Sequence, residues 1–220
     1  MDTRVKICGI TSLEDGLAAV EAGADLLGFN FYPPSPRYIQ PQDCTRIINA
    51  LKRTSRPVVT VGVFVNSPAG HIQAVLDECG LDLAQLSGDE PPEALASVGR
   101  RAFKGLRFRD PADLALTLRS YPPRPAAPAW LVDAYRPGEY GGTGQTADWS
   151  LARRLAELAP ILLAGGLRPE NVTDALRQVN PWGVDVASGV EDRSGHKSSA
   201  LMTAFVSAVR RFSQPGPAAG

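Results

Sequence analysis

The feature that most constrains the fold is a regular alternation of short apolar runs with amphipathic segments along almost the whole chain. Each apolar run has the length of a buried strand, and each following segment carries apolar residues at helical spacing. The pattern recurs about eight times in 220 residues, at a repeat of roughly 25 residues, which is typical of strand–helix folds with a parallel sheet.

Two architectures satisfy this pattern, a closed (β/α)8 barrel and an open doubly wound sheet. No G-x-G-x-x-G motif follows the first strand, as the nucleotide-binding open sheets would require. The glycine-rich turns come late, after the sixth, seventh and eighth strands, which is the habit of phosphate-binding barrels. We therefore predict an α/β fold, a single (β/α)8 TIM barrel over residues 1–212 with a disordered tail at 213–220.

The composition and charge of the chain limit the classes of partner and the cellular location that we expect. Lys and Arg together number 23, as do Asp and Glu, so no nucleic-acid or membrane surface is expected. The segment 1–4 lacks the basic start and apolar run of a signal peptide, so we expect a cytoplasmic protein. The three cysteines are widely spaced, and neither His71 nor His196 stands at ligand spacing from them. This predicts neither a disulfide framework nor a metal site.

The first strand carries the first candidate for chemistry. Val5 and Ile7 point to one face, whereas Lys6 and Cys8 point to the other. Cys8 ends the strand just before a helix, at the rim where strand–helix barrels place their active sites. A thiolate there can serve as a proton base or as a nucleophile.

Two acidic residues within apolar strands are the matching acid–base candidates. Asp133 ends the sixth strand and Asp185 lies in the eighth. A carboxylate in such a run is costly unless it has a partner or a function, and burial can raise its pKa so that it acts as an acid. In the first helix, Leu13, Leu17 and Val20 share one stripe, which we expect to face the core.

Several loops have the composition of an anion site. The turns with Gly165 and Gly166, with Ser188 and Gly189, and the segment 141–144 follow strands seven, eight and six. Glycines let a phosphate approach the backbone closely. Arg37, between Pro36 and Tyr38, can hold a second anionic or aromatic group. These residues predict proton transfer on a small phosphorylated molecule, without a cofactor.

Taken together, these motifs resemble those of the phosphoribosylanthranilate isomerases of tryptophan biosynthesis. The resemblance runs in order from residue 4 to about residue 197. The matching stretches are Lys-Ile-Cys-Gly-Ile-Thr at 6–11, Ser-Pro-Arg at 35–37, Asp133, Gly-Gly-Thr-Gly at 141–144, Ala-Gly-Gly-Leu at 164–167 and Asp-Val-Ala-Ser-Gly-Val-Glu at 185–191. The first and last of these are the specific ones.

The resemblance implies a TIM barrel of the ribulose-phosphate-binding type. It further implies an Amadori rearrangement of N-(5-phosphoribosyl)anthranilate without any cofactor, because the Schiff-base nitrogen is itself the electron sink. By the same resemblance Cys8 is the general base, Asp133 the general acid, Arg37 the anthranilate-carboxylate site and Asp185 the contact to sugar hydroxyls. The phosphate is expected at the backbone of the late glycine-rich loops, namely at Gly142, Gly144, Gly165, Gly166, Ser188 and Gly189.

The sequence departs from the usual family pattern at three positions. Ser87 stands where a His is usual, Ala187 where a Ser is usual, and Ser198 where an Asp is usual. These changes bear on hydrogen bonds to the substrate and on the cap of the last helix, whereas the expected acid and base are both present.

Two alternative functions remain open from the sequence, and so does the oligomeric state. A lyase such as indole-glycerol-phosphate synthase would need a catalytic lysine, for which Lys104 is the candidate within a later strand. A non-catalytic barrel that binds a phosphosugar is the second alternative. We expect a small phosphorylated substrate, no nucleic-acid or membrane partner, and a monomer or homodimer.

Overall fold

The computed structural model describes residues 2–108, 110–133 and 149–213. In these residues, parallel strands close into a barrel in the order β1 to β8. The strands are β1 (Arg4–Cys8), β2 (Leu26–Asn30), β3 (Val59–Phe64), β4 (Leu83–Leu86), β5 (Ala102–Leu106), β6 (Trp130–Val132), β7 (Ile161–Leu163) and β8 (Gly183–Val186). The helices are α1 (Leu13–Ala22), α2 (Pro41–Leu51), α3 (Ala69–Cys79), α4 (Pro92–Val98), α5 (Pro111–Ser120), α6 (Trp149–Leu158), α7 (Val172–Val179) and α8 (Ser199–Ser213).

Pairing between the first and last strands closes the sheet. β1 lies parallel to β8, with Lys6 opposite Asp185 and Ile7 opposite Val186. This pairing leaves no free sheet edge, so the predicted (β/α)8 barrel is confirmed and the open doubly wound sheet is excluded.

The apolar residues form two cores that the barrel wall separates. The larger core lies between strands and helices and includes Val5 and Ile7, as the alternation of β1 predicts. The smaller core fills the inside of the barrel and consists of Leu26, Val61, Leu83, Phe103, Leu131, Leu162 and Ala164. Because this apolar plug occupies the middle of the barrel, the inward polar residues gather at the carboxyl ends of the strands.

The turn from β1 into α1 forms as the sequence indicates. Ser12 is the N-cap of α1, and its hydroxyl accepts a hydrogen bond from the Asp15 amide at 3.0 Å. The predicted stripe of α1 is wrong in part, since Leu13 and Leu17 are 42% and 41% exposed. The buried face is made of smaller residues, including Gly16, where an added Cβ would lie 3.4 Å from Ile47. Small residues let α1 approach α2 more closely than leucines would.

After β8 the chain makes a short 3-10 turn, Ser188–Val190, and then a small antiparallel hairpin of β9 (Glu191–Arg193) and β10 (His196–Lys197). Helix α8 follows and ends one residue beyond the predicted domain boundary.

Residues 214–220 lie outside the described residues, so the disordered tail stays a prediction. Among the helices in the described part of the chain, none is long and apolar enough to cross a bilayer.

Candidate active site

A pocket opens at the carboxyl ends of the strands and gathers four of the residues that the sequence singles out. Cys8, Arg37, Asp133 and Asp185 all line it, although they come from four different parts of the chain. An adjoining hollow is lined by Asp133 and Asp185 together with Gly165, Gly166 and Ser188. The predicted acid–base residues and two of the predicted anion loops therefore meet at one end of the barrel.

Lys6 is a site residue that the sequence analysis placed on the same face of β1 as Cys8 without assigning it a function. It is fully buried, and its Nζ donates to Oδ1 of Asp185 at 2.8 Å. Burial would lower the pKa of Lys6, but the charge of Asp185 and the neighbouring Cys8 outweigh burial and raise it. Lys6 is therefore a buried ammonium that joins β1 to β8 directly beneath the pocket.

Cys8 stands at the end of β1, beside this ion pair. Burial raises the pKa of the Cys8 thiol, while the positive charges of Lys6 and Lys197 act against that increase and the charge of Asp185 adds to it. A thiol placed between opposing charges in this way is typical of a functional cysteine. Cys44 and Cys79, by contrast, are buried in α2 and α3, the usual place of a cysteine that packs as a small apolar residue.

Arg37 is a partly buried site residue whose orientation the last hairpin determines. Its Nε and Nη2 donate to the two carboxylate oxygens of Glu191 at 2.7 and 2.8 Å. Lys197 donates to the same carboxylate at 2.7 Å and to the Ala187 carbonyl at 3.0 Å. Gly9, with φ +80°, passes so close that an added Cβ would lie 2.5 Å from Cδ of Arg37. The guanidinium is thus held at the pocket wall from two sides.

Glu191 and Lys197 are further residues that the sequence analysis did not assign. Glu191 ends the motif 185–191 that carries the family resemblance, so a signal for it was present in the sequence. The Glu191 carboxyl has a lowered pKa, because hydrogen bonds and charge from Arg37 and Lys197 outweigh burial, which by itself would raise it. Glu191 is therefore a permanent anion between two cations.

The hollow beside Asp133 has the backbone geometry of an anion site. Gly165 and Gly166 both have positive φ, at 95° and 65°, a conformation that favours glycine. Gly189 packs directly against the chain after β7, where an added Cβ would overlap the Leu167 carbonyl. The predicted phosphate residues Gly142 and Gly144 lie outside the described residues.

Three further polar residues line the pocket on the side of β4 and β5. The Gln85 amide donates to the Ser87 hydroxyl at 2.9 Å. Ser87 stands at the position where the phosphoribosylanthranilate isomerases usually have His. Arg107 donates to the Ser87 carbonyl at 2.6 Å and brings a second guanidinium to the pocket. The sequence analysis did not identify Arg107, which directly follows Leu106 at the end of β5.

Lys104, the candidate lysine of the lyase alternative, faces the other side of the barrel wall. Its strand neighbours Phe103 and Gly105 face inward, toward the inner core and the pocket respectively. Its Nζ lies 2.5 Å from Oε2 of Glu90 and 2.7 Å from the Gly88 carbonyl. Since alternate strand residues face opposite sides, Lys104 points away from the pocket. It forms a buried structural ion pair with Glu90. This geometry does not support the lyase alternative.

Comparisons with known proteins agree with this geometry. The family model described as N-(5'phosphoribosyl)anthranilate (PRA) isomerase matches residues 5–208. An N-(5'-phosphoribosyl)anthranilate isomerase of Geobacter metallireducens is 48% identical over 203 residues, or 92% of this chain and 96% of the relative. The corresponding protein of Myxococcus xanthus is 47% identical over 212 residues, or 96% of this chain and 97% of the relative.

Solved structures give the same result. The crystal structure of phosphoribosyl anthranilate isomerase from Thermotoga maritima superposes with a TM-score of 0.83 at 38% identity, covering 95% of this chain and 99% of that one. Another phosphoribosyl anthranilate isomerase, in complex with reduced 1-(o-carboxyphenylamino)-1-deoxyribulose 5-phosphate, superposes with a TM-score of 0.79 at 36% identity and the same coverage. The chain therefore belongs to the N-(5'-phosphoribosyl)anthranilate isomerase family.

Proposed function

We propose that Cys8 and Asp133 carry out the proton transfers of the Amadori rearrangement that this chain catalyses in L-tryptophan biosynthesis. The reaction converts N-(5'-phosphoribosyl)anthranilate into 1-(2-carboxyphenylamino)-1-deoxyribulose 5-phosphate. The observation that carries the assignment is that Cys8 and Asp133, from β1 and β6, line one pocket together with Asp185 and Arg37. A general acid and a general base must both reach the bound sugar.

In this proposal Asp133 acts first. Its carboxylic acid protonates the ribose ring oxygen as the bond from that oxygen to C1 breaks, and the anilino nitrogen forms a Schiff base with C1. Asp133 lines both the pocket and the adjoining hollow, so it can face a sugar whose phosphate occupies the hollow. The protonated nitrogen then withdraws electrons from C2.

Cys8 acts second, as a thiolate. It takes the proton from C2, the electron pair of that bond forms a C1–C2 double bond, and the π pair of the C1–nitrogen double bond moves onto the nitrogen, which gives an enamine. The C2 hydroxyl then loses its proton while C1 gains one, which yields the ketone. No electrons leave the substrate, so the step balances as an isomerisation and needs no external redox partner.

The remaining site residues hold the substrate. We assign the anthranilate carboxylate to Arg37, whose Nε and Nη2 bind Glu191 and whose Nη1 is the remaining nitrogen of the fork. The phosphate is assigned to the backbone at Gly165, Gly166, Ser188 and Gly189, together with Gly142 and Gly144 of the preceding loop. We assign the sugar hydroxyls to Asp185.

The test compares turnover of freshly made N-(5'-phosphoribosyl)anthranilate, followed by fluorescence, among the wild type, Cys8→Ala and Asp133→Asn. We expect kcat to fall about 10²-fold or more in each variant, which is the range for a lost acid or base. Cys79→Ala, buried in α3 away from the pocket, is the matched control and should keep turnover within about threefold. Wild-type kcat in either site variant would overturn its assignment.

Two broader properties are also proposals. A related enzyme from Thermotoga maritima is described as dimeric, and we propose that this chain is a monomer or a homodimer, which light scattering of the purified protein decides. We also propose a cytoplasmic location, because Cys8, Cys44 and Cys79 are all free thiols, as in a reducing compartment. Cell fractionation tests the location.

A further inference from the structure

A buried lysine, Lys6, lies directly beneath the active-site pocket. Lys6 faces the inside of the barrel, is fully buried, and stands opposite Asp185 in the register that joins β1 to β8. A buried ammonium costs several kcal/mol of desolvation free energy unless partners offset it. Its ion pair with Asp185, at 2.8 Å, offsets part of that cost but does not explain why the charge lies beside the proposed base.

The side chains of Lys6 and Cys8, two residues apart, project from the same face of β1, and the two groups interact electrostatically. The space between the two side chains is open because the neighbouring strand carries Gly28, which stands opposite Cys8 in the register. An added Cβ at Gly28 would lie 2.7 Å from the Cys8 sulfur and 3.1 Å from the Lys6 nitrogen. Both reactive ends therefore border the same small space, and a side chain at position 28 would fill it.

We propose that Lys6 is a positioning residue that stabilises the Cys8 thiolate as it forms for proton abstraction. The inference rests on the proposed role of Cys8 and deepens it, since it assigns the group whose charge favours the thiolate against burial. An ammonium close to a sulfur favours the charged form of the thiol, and this effect is large where water is excluded.

The other charges around the pocket favour the same result. Besides Lys6, the charged groups that face Cys8 from β8, from the β9–β10 hairpin and from the loops after β2, β5 and β6 are Asp185, Glu191, Lys197, Arg37, Arg107 and Asp133. With every carboxyl ionised, these groups of the described part of the chain, counted with Lys6, comprise four cations and three anions. One positive charge therefore remains for a thiolate, and protonation of Asp133 as the general acid would add a second.

The direction of the Lys6 effect on Cys8 is clear. Burial raises the pKa of the Cys8 thiol, and Lys6 is the largest influence that opposes burial, whereas Asp185 acts with burial. Removing the charge of Lys6 therefore raises the thiol pKa further, and removing the charge of Asp185 lowers it. Asp185 acts on the thiol in its own right, so the Lys6 variants are the ones that test Lys6.

The experiment measures the rate of Cys8 alkylation by iodoacetamide against pH, without substrate, with peptide mapping to separate Cys8 from Cys44 and Cys79. In Lys6→Met we expect the midpoint of the rate profile to rise by about one pH unit or more, so that alkylation at pH 7.5 is about tenfold slower. Lys6→Arg keeps the positive charge and should shift the midpoint less. In Asp185→Asn, whose amide oxygen still accepts from Lys6, the midpoint should fall.

The activity profile supplies the second readout. Lys6→Met should lower kcat/KM at pH 7.5 about tenfold, and part of the loss should return as the pH rises, because a higher pH restores the thiolate. A purely structural role would reduce activity equally at every pH. If Lys6→Met does not fold, Lys6→Gln repeats the measurement with a polar side chain, and an unchanged midpoint there overturns the inference.

Failure of this inference is distinguishable from failure of the proposed function. Alkylation is measured without turnover, so its midpoint reports on Lys6 whether or not Cys8 is the base. An unchanged midpoint in Lys6→Met, with Cys8→Ala inactive, would overturn the role of Lys6 alone. A shifted midpoint with an active Cys8→Ala would instead overturn the assignment of the base.

Discussion

Glu191 holds the flat edge of the Arg37 guanidinium through two nearly equal hydrogen bonds, 2.7 Å from Nε to Oε1 and 2.8 Å from Nη2 to Oε2. The two residues are 154 positions apart in sequence, and Lys197 of the same hairpin binds the same carboxylate. A bidentate pair fixes both the position and the plane of a guanidinium. The β9–β10 hairpin is thus a support for the proposed carboxylate site, although it contributes nothing to the barrel sheet.

We predict that Glu191→Gln weakens substrate binding more than it slows chemistry. Gln cannot accept from Arg37 with two charged oxygens, so the guanidinium loses its fixed plane. We expect KM to rise about tenfold with kcat within about threefold, the pattern of lost binding. Steady-state kinetics checks this. The neighbouring Asp192→Asn, in an exposed pair with His196, is the control and should leave KM unchanged; an equal KM effect in both variants would contradict the prediction.

We predict that Gly189→Ala disrupts the hollow assigned to the phosphate. The added methyl group would overlap the Leu167 carbonyl, and backbone on both sides must move. We expect a loss of about 2–4 kcal/mol in the free energy of unfolding and a higher KM, measured by urea unfolding and kinetics. Gly70→Ala in α3, where an added Cβ meets nothing within 4 Å, should instead stabilise the protein by about 0.5–1 kcal/mol. A stable Gly189→Ala with wild-type KM would contradict this account.

We predict that the Asp25 carboxylate contributes to the stability of the fold and that this contribution is lost in acid. Its carboxylate accepts from the Val5 amide at 2.8 Å, from Arg4 at 3.1 Å and from Arg210 at 2.6 Å. Burial would raise the pKa of Asp25, but these hydrogen bonds and the Arg210 charge outweigh it and lower the pKa. The folded state therefore binds this proton less readily than the unfolded state, so the contribution is complete above the unfolded pKa of about 3.9. It is lost as the pH falls through the lower folded pKa.

The corresponding experiment is urea unfolding of the wild type and Asp25→Asn across pH. We expect Asp25→Asn to cost about 2 kcal/mol at pH 7 and the difference between the two proteins to shrink as the pH falls below the unfolded pKa of about 3.9. Asp174→Asn, which removes one partner of an exposed i,i+3 pair on α7, should cost less than about 0.5 kcal/mol at any pH. A pH-independent difference for Asp25→Asn would sink the assignment.

We predict that Lys104→Met lowers stability and leaves the chemistry intact. Lys104 and Glu90 are buried partners, with side chains 5% and 2% exposed, so removing the lysine leaves a carboxylate without its countercharge. Breaking such a pair typically costs about 3–5 kcal/mol. Thermal unfolding should show this loss, and the double variant Lys104→Met with Glu90→Gln should recover part of it. Turnover well below the melting temperature should stay within about threefold, whereas abolished turnover in a folded variant would revive the lyase alternative.

The architecture was largely predictable because its signals are local. Strand and helix periods repeat along the chain, and each turn carries its own marker, such as Ser12 before α1. The alternation in β1 correctly placed Val5 and Ile7 in the outer core and Lys6 and Cys8 on the inside. The resemblance, carried by short motifs, led to the family that the comparisons confirm. The roles of individual site residues stay predictions.

Partners far apart in sequence were decided by tertiary structure alone. Lys6 meets Asp185 across 179 positions, and Arg37 meets Glu191 across 154, because barrel closure brings β8 and its following hairpin beside β1. A local pattern specifies which face a residue occupies but not which strand will lie opposite it. The same limit explains α1, where periodicity alone indicated an inward leucine stripe. The close approach of α2 instead required the smaller face with Gly16, since packing density against a neighbour decides which of two apolar faces is buried.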